Sequence, residues 1–130
     1  MRSVVTEVPA ADSIRAAEHF EALLSFETDC WDVHAAMSSG AADFVLLDVR
    51  SPGAFRNGHI TGAVNLPHAQ ITEESLAGYP SDRLFVAYCA GPHCNGAHRA
   101  AIRLAQLGRP VKIMIGGVSG WLNERFDLES

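Results

Sequence analysis

Basic residues are scarce in this chain. Lys and Arg total 10 against 15 Asp and Glu, a formal net charge of −5. A protein that grips a phosphate backbone needs a basic face, so this balance speaks against nucleic acid as a partner. Long apolar runs are missing too. No stretch approaches the roughly 18 residues that a transmembrane helix requires, so no membrane association is expected. Residues Met1 to Pro9 contain no apolar core of the kind a secretory signal has, and a cytoplasmic location is expected. Cysteines are few and odd in number: Cys30, Cys89 and Cys94. A secreted disulfide framework is denser and even. Cys89 and Cys94 make C-x4-C, not the C-x-x-C of redox proteins or zinc knuckles, and too few ligands cluster with them to hold a metal. Internal repeats and low-complexity segments are absent. What remains is 130 residues, 48% hydrophobic and 19% charged, the composition of one ordinary globular domain.

The patterning predicts an α/β fold. Residues 12–26 read as an amphipathic helix, with Ile14, Ala17, Phe20, Leu23 and Leu24 at helical spacing. Thr28 and Asp29 offer a cap for a second helix over 30–38. The apolar run 44–47 suits a strand buried on both faces, as in a parallel sheet. Ser51 and Pro52 then open a helix. A second strand is expected over 63–66, a short helix capped by Thr72 over 72–77, and a third strand over 84–88. Residues 97–107 read as a strong helix stopped by Gly108. Val111 to Ile115 reads as a fourth strand, with a turn at Gly116-Gly117 and a terminal helix over 118–123. Strands alternating with helices imply a layered fold with a mostly parallel sheet, whose sites lie at the carboxyl ends of strands.

Cys89 is the most informative position. It stands where a buried strand hands over to a loop just before a helix. Loop amides and the helix N-terminus there favour the thiolate, the nucleophilic form, and can hold an anion delivered to it. The alternative is a small buried thiol at a strand end.

The wider sequence resembles the rhodanese family over about 60% of the chain, from Phe44 to Trp121. Leu46-Leu47-Asp48-Val49-Arg50 is similar to the family's first signature. Phe55 through Pro67, with Arg56-Asn57-Gly58-His59-Ile60, is similar to its second. Val86-Ala87-Tyr88-Cys89 resembles the strand leading to the catalytic cysteine, and Ala100-Ala101 through Leu107-Gly108 the helix after it. Gly116-Gly117 with Gly120-Trp121 resembles the C-terminal signature.

This resemblance implies a three-layer α/β/α domain over 41–126, with residues 1–40 as a helical extension packed on it. It implies sulfane-sulfur transfer: Cys89 takes sulfur from a donor such as thiosulfate and passes it, as a persulfide, to cyanide or a thiol. No metal or other cofactor is called for. The expected partners are a small sulfur donor and a thiophilic acceptor, with a protein acceptor or a homodimer contact as further options. The substrate loop is expected to be Ala90, Gly91, Pro92, His93, Cys94 and Asn95. Asp48, Arg50 and His59 are expected to support it by hydrogen bonding and ion pairing.

The chain departs from the family pattern in that loop. Ten residues, Ala90 to Arg99, separate Cys89 from Ala100-Ala101, about two more than usual. Early arginines are missing, which leaves His93, His98 and Arg99 as cationic candidates. Rhodanese-related phosphatases and arsenate reductases need C-x5-R to grip an oxyanion, and here that arginine position is Asn95. Two alternatives stand beside catalysis: a noncatalytic module that binds a partner, and a redox-sensing module using Cys89 and Cys94. Cys94 itself reads as an inert loop residue, with a resolving thiol as its alternative. Cys30 reads as a buried structural thiol, and Trp121 as a core cover whose indole N–H finds a local acceptor.

Overall fold

The computed structural model describes residues 2–130. In chain order the elements are α1 (Val4–Glu7), α2 (Ser13–Phe26), β1 (Glu27–Asp29), α3 (Cys30–Ser38), β2 (Phe44–Asp48), α4 (Pro52–Asn57), β3 (Val64–Asn65), α5 (Glu73–Leu76), β4 (Leu84–Tyr88), α6 (Gly96–Gln106), β5 (Val111–Ile115) and α7 (Gly117–Asn123).

The near-continuous apolar runs of β2 and β4 dictate the middle of the molecule, because both of their faces must be covered. Side chains alternate along them. Leu46, Val86 and Tyr88 enter one core layer with Cys30, Val33 and Trp121 of α3 and α7. Leu47, Phe85 and Ala87 enter the other, with Leu76 of α5 and Ala97, Ala100 and Leu104 of α6. The result is a three-layer α/β/α fold. Its five-stranded sheet has the order β1-β5-β4-β2-β3, with every pair parallel. The chain steps outward from β2 to β3, then returns to β4 and steps outward the other way to β5. The order therefore reverses between β2 and β4, where sheets of this kind place their sites.

Local signals set the helix ends. Asp12, Asp29 and Ser51 accept from the backbone N–H three residues on, and Thr72 with Ser75 forms a reciprocal capping box. Gly108, at φ +76°, ends the segment after α6 as a left-handed residue.

Two features differ from expectation. β1 is polar and three residues long, too short to show a strand pattern, yet it pairs with β5 in the register Thr28 opposite Met114. Residues 27–38, assigned above to an extension, are thus part of the sheet and core. By contrast α2 buries none of its residues, and Ile14, Phe20 and Leu24 are 75%, 64% and 70% exposed. It is not packed along the domain. β1 follows α2 with no intervening turn, so only the last turn of α2 reaches the sheet edge. Among the described residues no helix is long and apolar enough to cross a membrane.

Candidate active site

The pleat of β4 sends Cys89, the residue after its last, into the α6 layer beside Leu47 and Ala87. Its side chain is only slightly exposed, at 7% for the residue. The sulfur rests against the first residue of α6. A Cβ on Gly96 would lie 2.8 Å from Cys89 Sγ and 3.4 Å from Cys94 Sγ, so only glycine leaves room for both sulfurs. Asn95, at the cap position of α6, makes no capping bond. Its Oδ1 instead accepts from Arg99 Nε at 3.2 Å. An uncapped helix N-terminus presents orphan amides and partial positive charge to whatever faces it, which favours a thiolate.

The start of the loop is bound to α7. Val118 N donates to Cys89 O at 3.0 Å and Ser119 N to Ala90 O at 2.9 Å. Gly117, at φ +58°, passes so close that a Cβ would strike the Cys89 carbonyl and lie 2.9 Å from Gly91 N. Cys94 N then donates to Gly91 O at 3.1 Å and turns the loop back on itself. The Cα atoms of Cys89 and Cys94 come to 6.4 Å and their sulfurs join in a disulfide. The reading of Cys94 as inert is thereby corrected. Spacing alone does not encode the return of the loop; the Gly91 carbonyl and the small Gly96 bring it about.

Both cysteines line one cavity of about 200 Å³. Gly91 and Pro92 of the loop, Ala97 and His98 of α6, and residues 113–117 complete its wall. Of the expected loop residues, Ala90, His93 and Asn95 do not line it. Ala90 is turned to α7, Asn95 to Arg99, and His93 is exposed. Among the three cationic candidates, His98 is the one in the wall. The β5–α7 contribution went unread, because only the sheet order brings Ile115, Gly116 and Gly117 beside Cys89. Backbone N–H groups of Ala90, Gly91 and His93 donate to no described residue.

Asp48, Arg50 and His59 lie outside the cavity wall. Asp48 is fully buried and accepts from Arg50 Nη2 at 2.7 Å, Arg50 Nε at 3.0 Å and the Tyr88 hydroxyl at 2.7 Å. Arg50 also donates to Gly58 O at 2.7 Å, and Ile60 N donates to the Tyr88 oxygen at 3.2 Å. The hydrogen bond to Asp48 holds the Arg50 guanidinium above its ordinary value, and burial pushes the Tyr88 hydroxyl up. Tyr88 was not singled out from the sequence. A tyrosine closing an apolar strand is the available signal, since its hydroxyl must find a partner in the core. His59 stacks on Phe55 at 3.6 Å, with Nδ1 2.8 Å from Phe55 O and Nε2 3.4 Å from Glu129 Oε1.

Cys30 belongs to the opposite core layer, 5% exposed, with Sγ donating to Ile115 O at 3.5 Å. Burial, then the charges of Asp29 and Glu124, push its thiol up from 9.0 to about 11. A raised thiol pKa means the folded state holds the proton longer than the unfolded chain. The stability it contributes is therefore complete below pH 9.0 and is lost as pH rises towards about 11. Native Cys30 is accordingly expected to resist iodoacetamide at pH 8 and to react fully once the chain is unfolded. Rapid native alkylation at residue 30, located by peptide mass, is the contrary outcome. Trp121 covers the same layer and donates Nε1–H to Asp127 O at 2.9 Å. Among the described residues no cluster of three His, Cys, Asp or Glu side chains could hold a metal ion.

Comparison with known proteins agrees with this architecture. The family described as the rhodanese-like domain matches residues 31–124. An HTH-type transcriptional regulator of Mycobacterium tuberculosis is 38% identical over 81 residues, covering 62% of this chain and 35% of the regulator. The chain thus spans about a third of that relative's length. A Bacillus halodurans protein of solved structure superposes with a TM-score of 0.88 at 34% identity, over 92% of this chain and 87% of that one. A thiosulfate sulfurtransferase from Pseudomonas aeruginosa shares the fold, with a TM-score of 0.65 at 21% identity, over 89% of this chain and 21% of that one.

Proposed function

The chain belongs to the rhodanese-like domain family, and on that premise we propose that it is a sulfurtransferase carrying a sulfane sulfur on Cys89. The observation that supports this best is the seat of the Cys89 sulfur. It lies at the uncapped N-terminus of α6, in the wall of a cavity with room for a small oxyanion.

The reaction needs a thiolate and an anionic leaving group. With the disulfide opened, the Cys89 thiolate attacks the outer sulfur of thiosulfate. The sulfur–sulfur bond of the donor breaks and its electron pair leaves with sulfite. The cavity amides of α6 and the loop stabilise negative charge on the entering donor and on the persulfide. His98 is the side chain placed to attract the anion. A nucleophilic acceptor, cyanide or a thiol, then removes the outer sulfur, so two displacements and ping-pong kinetics follow. No metal or organic cofactor enters either step. The phosphatase and arsenate readings lose ground, because Asn95 stands where an arginine is needed and is engaged by Arg99.

The test is intact mass. Cys94→Ser protein, reduced with a dithiol and then freed of it, is expected to gain one sulfur from thiosulfate and lose it to cyanide, and Cys89→Ser is expected to gain none. Protein with the disulfide closed is expected to gain none. A second reading, a redox-sensing module, is favoured by the closed disulfide and by the regulator among the relatives. If reduced Cys94→Ser takes no sulfur while the wild-type disulfide opens and closes with the redox buffer, that reading replaces the first.

A further inference from the structure

We propose that Cys94 is a second catalytic residue, which discharges the Cys89 persulfide within the same chain and releases its outer sulfur as sulfide. This rests on the sulfurtransferase reading and adds the fate of the sulfur. It makes the protein a dithiol-dependent thiosulfate reductase and not a simple carrier.

Four observations meet at this pair. The two sulfurs are joined, with Cα atoms 6.4 Å apart, inside the span that a disulfide requires. Both cysteines line the cavity where a donor would arrive. Gly96 N donates to Cys94 Sγ at 3.4 Å, so an amide of the α6 N-terminus supports negative charge on the second sulfur as well. Gly96 carries no Cβ where a larger residue would press on both sulfurs at once. Cys30 has none of this. It lies in the other core layer, with its thiol turned to the carbonyls of Ile115 and Gly117.

The chemistry follows from which atom Cys94 can reach. Its sulfur abuts Cys89 Sγ, which is the inner sulfur of a persulfide. The Cys94 thiolate attacks that atom and a Cys89–Cys94 bond forms. The bond from Cys89 Sγ to the outer sulfur breaks, and its electron pair leaves with that sulfur as hydrosulfide, which takes one proton. In sum, thiosulfate and two protein thiols give sulfite, sulfide and the protein disulfide. Two electrons come from the thiols. A dithiol, either a small molecule or a protein with a closely spaced cysteine pair, returns them by exchange at the disulfide. The structure corresponds to the end of such a cycle. The class of partner implied is therefore a dithiol reductant, in addition to a sulfur donor.

A single-turnover experiment decides this. Wild type and Cys94→Ser are reduced with a dithiol, freed of it without air, and mixed with excess thiosulfate and no acceptor. Wild type is expected to end as the disulfide, two hydrogens lighter than the reduced chain, with stoichiometric sulfide. Cys94→Ser is expected to stop at the Cys89 persulfide, with sulfide at least about tenfold lower. The rate of sulfide release in wild type should not depend on protein concentration. A rate proportional to concentration would place the attack between chains and overturn the proposal. A lasting persulfide on wild-type Cys89, or a sulfur transferred to Cys94, would overturn it as well while leaving the sulfurtransferase reading intact. If neither protein takes up sulfur, both readings fail together. Loading of Cys94→Ser shows in the same spectrum that the variant retains a working site.

Discussion

Cys89→Ser is expected to lower transfer of sulfur from thiosulfate to cyanide by about 10⁴-fold or more, the scale seen when a covalent nucleophile is removed. The substitution nearly conserves volume, and the site is tightly filled by Gly96 and Cys94, so packing around residue 89 should survive. What changes is the nucleophile. A hydroxyl is un-ionised near neutral pH, and the electrostatic environment that sustains a thiolate cannot bring it within range. Oxygen also has little affinity for sulfane sulfur. Intact mass should show no sulfur adduct on the variant. Thermal unfolding should be compared with reduced wild type, because the variant has lost the disulfide as well as the thiol. Retention of a tenth of wild-type activity would mean that the nucleophile is elsewhere.

Arg50→Leu is expected to destabilise the fold by about 3–5 kcal/mol. At about 4 °C per kcal/mol for a domain of this size, that is a fall in Tm of roughly 12–20 °C. Asp48 is fully buried and Arg50, 13% exposed, is its charge partner at 2.7 Å. Removing the guanidinium leaves a carboxylate in the core with one hydroxyl, Tyr88, and one backbone amide, Arg50 N, to satisfy it. It also frees the Gly58 carbonyl, so the segment between α4 and β3 loses its tie to the end of β2. The cause is a stranded charge, so adding Asp48→Asn should recover part of the loss. A double variant less stable than Arg50→Leu by the full cost of a further independent substitution would refute that account. Denaturant unfolding of the reduced proteins is the measurement. Since the network lies outside the cavity wall, sulfur loading by folded variant should change far less than stability.

These two residues illustrate what could be read in advance. Cys89 was legible because its signal is local: an apolar strand, a thiol at its end, then a helix. Asp48 and Arg50 were legible as a turn device, since two charged residues directly after a buried strand need partners. Tyr88, which completes their network, was not, because a tyrosine ending an apolar run signals that its hydroxyl needs a partner but not which one, and only the fold supplies Asp48. The cavity was half legible. Gly91, Pro92 and Cys94 follow Cys89 in the chain, whereas Ile115, Gly116 and Gly117 reach it only because β5 lies beside β4.

The sequence by itself determined the alternation of strands and helices, their caps and stops, and the place of Cys89 at a strand end ahead of a helix. All of these depend on neighbours in the chain: apolar runs that must be buried, side chains that cap the next turn, a glycine that can turn left-handed at residue 108. Tertiary structure decided what depends on distant partners. It drew the polar Glu27–Asp29 segment into the sheet through β5, and it left the apolar stripe of α2 uncovered. It also brought Cys94 onto Cys89. Five positions of separation permit that contact without requiring it, and the Gly91 carbonyl, the bare Gly96 and the grip of α7 on the loop together supply the requirement.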